Sequence, residues 1–382
     1  MEQSMKKKVC IMTLNGNLNY GNRLQHFALN RLLQNAGLDT VSWIDLQIKE
    51  AVPPNDPALF RLLRKALPFS LFQSVRRVYR RWKERRVIPH ASRRYRALDR
   101  FTRENIPGLE RAYARTYEEM REHIRREGID FFIAGSDQVW YPGIFHVSPT
   151  FLRFCAPEQR LSFAASIGVD EIPSSIRAEY AAFLNGMRYI SVREQRAVEI
   201  VKELTGRDAE LTPDPTLLLP KEEWDRAVDT VRMALPERFI ACYFLGETPK
   251  AVYDFAKRKG LPLIELNRRS EKKWYSADPL QFLYILRAAR YVLTDSFHGA
   301  AFSLKFEKEF YVFRRSDGTR MFSRIETLAA MFGLWDRLQE CDTVHEAPPI
   351  SAEKRQSIRD ELERRREEAM RKLLNAMEIE RP

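Results

Sequence analysis

The chain has 382 residues, 44% of them hydrophobic and 30% charged, which is length for about two domains with ordinary cores and excludes a disordered or fibrous chain. The formal charge is +12 at pH 7, yet residues 61–100 hold fourteen Lys or Arg against Glu84 and Asp99 alone, so one surface carries the excess and the rest of the chain is balanced. No apolar run reaches the roughly 18 residues of a membrane span, and the stretch Val9–Leu14 is too short for a signal peptide, so a cytoplasmic protein is expected.

The opening alternates strand and helix. Lys8–Leu14 reads as an apolar strand, and Asn15–Asn22 as a polar loop. Leu24, Phe27, Ala28, Leu32 and Ala36 then recur at helical spacing before Gly37, and Val41–Ile44 reads as the next strand. That order is a βαβ unit and predicts a parallel sheet with helices on its faces. Residues 51–125, with several prolines and the basic block, read as an elaboration of the first domain. Strands resume at Asp130–Ala134 and Leu161–Ile167; Ser174–Met187 predicts a helix, Tyr189–Val192 a strand and Glu194–Leu204 a helix closed by Gly206. Thr212-Pro213-Asp214-Pro215 cannot continue a helix and reads as a connector.

A second α/β series follows. Strands are expected at Phe239–Phe244, Pro262–Leu266, Tyr291–Thr294 and Glu309–Phe313, with helices at Lys250–Lys259 and from Asp278-Pro279 to Ala289. The tail, Ser351–Met377, places Ile358, Leu362, Met370, Leu373 and Met377 on one stripe of a helix that should pack across the domains. The expected organisation is two doubly wound domains, residues 1–220 and 221–345, followed by that helix in residues 346–382. Cys10, Cys155, Cys242 and Cys341 form no Cys-x-x-Cys pair, so neither disulfides nor zinc is signalled, and Cys10 and Cys242 read as buried thiols.

In open parallel sheets ligands bind beyond the carboxyl ends of the strands, and four loops there carry more than turn residues. The first, Asn15 to Asn22, has glycines that admit a backbone-close anion, but lacks the endings of a P-loop or a dinucleotide fingerprint. In Ala134-Gly135-Ser136-Asp137-Gln138-Val139-Trp140, a ligand-facing elbow competes with a helix N-cap. In Ser191-Val192-Arg193-Glu194, Arg193 reads either as a bidentate anion clamp or as half of a structural salt bridge with an acid such as Asp214. In Thr294-Asp295-Ser296-Phe297-His298-Gly299, His298 sits in a glycine-bearing strand-to-helix turn where an imidazole can transfer a proton or meet a ligand.

These loops, in this order and with Ser162–Gly168 and Pro213-Asp214-Pro215-Thr216, resemble the polysaccharide pyruvyl transferase family over residues 8 to about 335. The resemblance implies a GT-B-like fold of two Rossmann-like domains facing a cleft. It implies phosphoenolpyruvate as donor and a ketal-linked pyruvyl product on two hydroxyls of a sugar; that chemistry requires no metal or organic cofactor, and the residues signal none. The family's basic and histidine positions carry over to Arg193 and His298. The expected donor site adds Asn17, Gly21, Asn22, Gly135, Ser136, Ser296 and Gly299, with Arg268 or Arg324 as a second arginine. His298, Asp137 and Asp295 are the candidate acid and base. Rival readings are a nucleotide-sugar glycosyltransferase of similar architecture and a non-catalytic component of a polysaccharide assembly complex.

Within the basic segment, Arg76, Arg77, Arg80, Arg81, Lys83, Arg85 and Arg86 surround Val75, Val78, Tyr79 and Trp82 in a helical pattern. Three readings stay open: contact with anionic membrane that brings the enzyme to a lipid-linked acceptor, binding of an anionic glycan or nucleic acid, and a solvated face with internal acid partners. No nucleic-acid motif supports a nucleic-acid partner.

Overall fold

Two all-parallel sheets are built from the two α/β series. The computed structural model describes residues 6–14, 18–43, 47–48, 91–110, 112–114, 116–144, 149–315, 323–340 and 342–379. Its strands are Lys8–Met12 (β1), Asp39–Trp43 (β2), Gln47–Ile48 (β3), Leu109–Glu110 (β4), Tyr113–Ala114 (β5), Phe131–Asp137 (β6), Arg160–Ala165 (β7), Ser191–Val192 (β8) and Glu210–Leu211 (β9), then Ile240–Tyr243 (β10), Leu263–Glu265 (β11), Tyr291–Thr294 (β12), Glu309–Phe313 (β13) and Leu338–Gln339 (β14). The helices are Tyr20–Asn35 (α1), Ala91–Asn105 (α2), Tyr117–Glu127 (α3), Arg177–Asn185 (α4), Gln195–Thr205 (α5), Pro215–Leu218 (α6), Lys221–Val228 (α7), Lys250–Lys259 (α8), Lys272–Tyr275 (α9), Pro279–Ala288 (α10), Phe297–Lys305 (α11), Ser323–Phe332 (α12) and Ala352–Ala376 (α13).

The first sheet runs β4-β2-β1-β6-β7-β8-β9 and the second β11-β10-β12-β13-β14, with β3 and β5 paired apart. Both are Rossmann-like, and the pair gives the GT-B-like architecture that the resemblance implies. Strand residues alternate between two covered faces, which is why β1 and β10 read as continuous apolar runs. Val9 and Ile11 of β1 join Ala241 and Tyr243 of β10 in one apolar cluster that runs through both halves of the molecule. Cys10 and Met12 face a second cluster, and Ile240 and Cys242 a third. The thiols of Cys10, Cys155 and Cys242 are free and buried, and burial pushes those of Cys10 and Cys242 up; Cys341 lies outside the described residues.

Strand order reverses once in each sheet. In the first sheet β1 leads to β2 on one side while β6 lies on the other; in the second, β10 separates β11 from β12. Met12 is in register with Ala134, and Tyr243 with Thr294, so the loops that follow these four strands diverge around a crevice. The aromatic pins between the halves lie beside it. Tyr20 stacks on Phe282 at 4.4 Å and donates to the Ala277 carbonyl at 3.0 Å, and Trp224 packs on both Phe27 and Phe302.

The tail helix, α13, contacts elements of both series. Ile358, Leu362, Met370, Leu373 and Met377 are buried. Lys372 pairs with Glu210 at 2.5 Å in the first half, and Arg355 with Glu309 at 3.0 Å in the second. Two local expectations change. Ser174–Ile176 forms a 3-10 turn, so the helix proper begins at Arg177. The proline-flanked connector instead starts α6, whose first turn tolerates Pro215 and whose N-cap is the Asp214 side chain, accepting from the Thr216 N–H at 2.9 Å.

Most of the basic segment, including the helix expected around residues 75–86, lies outside the described residues. Within α2, Arg93, Arg96 and Arg100 are exposed, and Arg94 alone of the four is buried. Arg94 is buried between the rings of Tyr20 and Tyr275, 4.3 and 4.7 Å from their centroids, and donates to Asn267 Oδ1 at 3.0 Å. Among the described residues no helix is long and apolar enough to cross a membrane.

Candidate active site in the cleft

The crevice contains a narrow cavity of about 100 Å³. The first half contributes Asn19, Asp137 and Gln138; the second contributes Leu245, Asp295, Ser296, Phe297, His298, Arg315, Arg324 and Ile325. Local chemistry explains how each arrives there. Asn19 caps α1, accepting from the Gly21 N–H at 2.8 Å. Ser296 caps α11 and brings that helix's N-terminus, the end that favours an anion, to the cavity.

His298 follows on α11 and is buried against the other half. A Cβ on Gly21 would lie 2.0 Å from His298 Nδ1, so only glycine lets the start of α1 approach the imidazole this closely. On its other edge, His298 Nε2 lies 3.7 Å from Asp214 Oδ2 and has no hydrogen-bond partner among the described residues.

Asp214 is the hub behind the cavity wall. Its Oδ2 accepts from Ser136 Oγ at 2.8 Å and from the Arg193 guanidinium. Burial alone would raise the Asp214 pKa. Arg193, His298 and the Thr216 N–H outweigh it and hold the carboxyl well below the usual carboxylate range. Arg193 is sealed here as well. Its Nη1 reaches Ser136 Oγ at 3.3 Å, its Nη2 lies 3.7 Å from Asp137 Oδ1, and its Cζ sits 4.9 Å from the centre of the Phe297 ring. Of the two readings of Arg193, the salt bridge with Asp214 is present. Its Nε and Nη2 lack hydrogen-bond partners among the described residues, and it stands behind the wall made by Asp137, Phe297 and His298. The guanidinium from the first half and the imidazole from the second thus converge on one carboxylate oxygen.

Asp137 has φ of +71°, a left-handed conformation that aspartate tolerates better than most side chains. The bend is fixed by its own carbonyl, which accepts from Val139 and Ser166 N–H groups, and by its carboxylate, which accepts from the Gln138 N–H at 2.9 Å. Glu194 braces the neighbouring loop, accepting from Ser166 Oγ and from the Ile167 and Gly168 N–H groups at 2.8–2.9 Å.

In the second half, Asp295 accepts from the Leu245 and Gly246 N–H groups at 2.7 and 2.9 Å and from Arg315 Nε at 3.0 Å. It ties the β10 loop to Arg315. Arg324, at the start of α12, lines the same cavity with its Nε unpartnered among the described residues. Burial and then the nearby Arg193 push its pKa down to about 10, so it stays cationic at neutral pH.

Other expected site residues fall elsewhere. Gly135 lies beneath α1, where a Cβ would meet Leu29 at 2.6 Å, and Gly299 lies against Thr294. Asn22 is buried in the first turn of α1, and Asn17 lies outside the described residues. Arg268 is not brought to His298. It pairs with Glu265 at 2.7 Å and lines a larger cavity of about 450 Å³ with Gly246, Tyr253, Glu265 and Asn267, across the Leu245–Gly246 turn. Asp214 and Arg315 were not among the expected site residues. The connector reading passed over Asp214, although an aspartate followed by Pro215 and Thr216 is a pattern that can open a helix; Arg315 carries no local signal beyond following a strand.

Among solved structures, this chain is similar to Staphylococcus aureus MnaA with UDP, at 12% identity and a TM-score of 0.46, covering 98% of this chain and 91% of that one. It is also similar to UDP-GlcNAc 2-epimerases from Methanocaldococcus jannaschii (10% identity, TM-score 0.45, covering 93% and 92%) and Neisseria meningitidis (12%, 0.43, covering 99% and 95%). A comparison with curated proteins finds no match. The family model for polysaccharide pyruvyl transferase matches residues 19–317, a span from the Asn19 cap of α1 to just past Arg315, and the chain belongs to that family.

Proposed function

We propose that the chain transfers the pyruvyl group of phosphoenolpyruvate to two hydroxyls of one sugar, as a ketal, in the assembly of a cell-surface polysaccharide. The observation that carries this reading is the convergence of Arg315, Arg324, His298 and the N-terminus of α11 on one narrow cavity. Phosphoenolpyruvate carries a carboxylate and a phosphate close together, and such a cavity supplies positive charge and N–H donors at that scale. Its 100 Å³ is well under the roughly 300–1,000 Å³ of sites that enclose drug-sized ligands, which favours a compact donor over a nucleotide-sugar. The larger cavity beyond the Leu245–Gly246 turn is the place for the acceptor, with Glu265, Asn267 and Arg268 as hydroxyl partners.

In this reading the donor's methylene carbon takes a proton, a sugar hydroxyl attacks the resulting oxocarbenium-like centre, phosphate leaves, and the second hydroxyl closes the ketal. His298 is assigned the proton transfer or the phosphate contact, with Asp214 orienting its ring. Asp137 is the candidate base toward the acceptor, Asp295 holds Arg315 in place, and Arg193 fixes Asp214. The acceptor in this reading is a sugar or a lipid-linked oligosaccharide, and the basic segment, residues 61–100, is the candidate contact with an anionic inner membrane face. Phosphate release from phosphoenolpyruvate, measured across a panel of sugars and lipid-linked oligosaccharides, tests the proposal. Acceptor-dependent release supports it. Turnover of a nucleotide-sugar with no response to phosphoenolpyruvate would overturn it.

A further inference from the structure

We propose that the cavity enclosed by α6, α11 and α13, away from the cleft, binds an amphipathic carboxylate whose head group is held by Lys305. The cavity measures about 300 Å³, and its apolar walls include Leu218, Leu304, Ile350, Ile358 and Leu362. That is the lower end of small-molecule sites. Lys305, the last residue of α11, lines it and is only 7% exposed.

The cations around the cavity differ in one respect. Lys221 pairs with Asp225, Arg355 with Glu309, Arg359 with Glu307 and Arg366 with Glu363. Lys305 Nζ donates to the Leu217 carbonyl at 2.6 Å, and among the described residues no carboxylate lies within ion-pair distance of it. A buried ammonium without a counter-ion is costly. Burial, reinforced by Arg366, pushes the Lys305 pKa down to about 7, so near neutral pH the amine stands ready to take up a proton when an anion arrives.

The charge count selects the ligand. One uncompensated cation inside apolar walls is neutralised by one negative charge. The rim acids Glu222 and Asp360, which among the described residues pair with none of the lining cations, disfavour a dianion, and the leucine and isoleucine walls favour a hydrocarbon body. A carboxylate on a short alkyl chain meets all three conditions, whereas an alkyl phosphate meets only the last.

The test titrates octanoate into the full-length protein by calorimetry at pH 8, in two buffers of different ionisation enthalpy. One-to-one binding with uptake of about half to one proton per octanoate is expected, because the bound anion favours the charged amine. Lys305→Met should weaken binding at least about tenfold by removing the charge-assisted contact. Lys305→Arg should keep the binding but lose the proton uptake, since a guanidinium does not titrate there. Octanol, which lacks the charge, should not compete, and octyl phosphate should bind at least about tenfold more weakly than octanoate. Melting curves confirm that each variant is folded; if Lys305→Met is not, Lys305→Arg and the wild-type proton count still decide. No octanoate binding, binding without proton uptake, equal binding to a folded Lys305→Met, or equal binding of octyl phosphate would overturn the assignment. The readout is binding alone, so the outcome is independent of whether phosphoenolpyruvate is the donor.

Discussion

Arg193 and Arg315 each sit beside an aspartate near the carboxyl end of a parallel sheet, and the two pairs face different surroundings. The Arg193 side chain is 1% exposed and that of Asp214 0%, whereas Arg315 keeps 18% exposure against 3% for Asp295. The first pair is sealed behind the cavity wall and fixes the oxygen that His298 faces. The second leaves a guanidinium edge in the cavity and anchors the β10 loop through two backbone N–H groups. A charge with no exposed surface can position but cannot be the first contact of a diffusing anion; a partly exposed one can be both. On the proposed reading the two halves of the cleft divide the labour, with the sealed carboxylate hub in the first and the groups that would face the anionic donor in the second.

The sealed pair gives the largest expected effect. Arg193→Met leaves Asp214 as an uncompensated buried charge, and removing one partner of such a pair costs about 3–5 kcal/mol. Denaturant unfolding measures it, and Arg193→Met combined with Asp214→Asn should recover part of the loss. A single-variant cost below about 1 kcal/mol would place Arg193 with the ligand-facing groups and break the distinction. His298→Ala comes next. It should lower phosphate release from phosphoenolpyruvate by about 10²-fold or more, roughly 2.7 kcal/mol of barrier, while the melting curve moves little. A fall in stability with unchanged turnover would make His298 part of the packing between Gly21 and Asp214 and nothing more.

The first half holds a further sealed group. His26 lies in α1 with Nε2 2.8 Å from Ser42 Oγ, and burial, reinforced by Arg23, pushes its pKa down to about 3. The unfolded chain binds a proton near pH 6.5 that the folded chain refuses, so stability falls as pH drops below 6.5 and continues to fall toward 3. At pH 5 the expected loss relative to neutral pH is about 2 kcal/mol. His26→Gln, which keeps a polar partner for Ser42 but does not titrate, should flatten that slope. An equally steep slope in the variant would move the acid sensitivity to other groups.

This division was only partly legible in the sequence. The parallel sheets were, because β1, β10 and β12 are buried on both faces and so read as apolar runs, and because α8 ends where Gly260 adopts a left-handed φ of +62°. The loops that matter were also visible, since strand-to-helix turns rich in Gly, Asn and Asp are unusual sequence. What could not be read is which side of the cavity wall a residue occupies. Arg193 and Asp214 are separated by two strand ends, and Asp214 sits between prolines that suggest a connector rather than a capped helix. Gly135 looked like a ligand-approach glycine and instead admits Leu29, because close approach by a neighbouring helix and by a ligand leave the same mark on a sequence. Arg268 and Arg324 were equivalent candidates, and only the fold separates them into two cavities.

That separation yields the smallest and most discriminating expected effect. Arg324 lines the cavity with His298, and Arg268 pairs with Glu265 across the Leu245–Gly246 turn. If Arg324 meets the donor in both ground and transition states, Arg324→Gln removes uniform binding: KM for phosphoenolpyruvate rises about tenfold, roughly 1.4 kcal/mol, with kcat nearly unchanged. Arg268→Gln should leave the donor KM within about twofold and act instead on the acceptor KM. Steady-state kinetics with each substrate varied in turn reads both numbers from the same pair of proteins. The reverse pattern, with Arg268 controlling the donor, would move phosphoenolpyruvate into the larger cavity and leave the narrow one between Asp137 and His298 for a sugar hydroxyl.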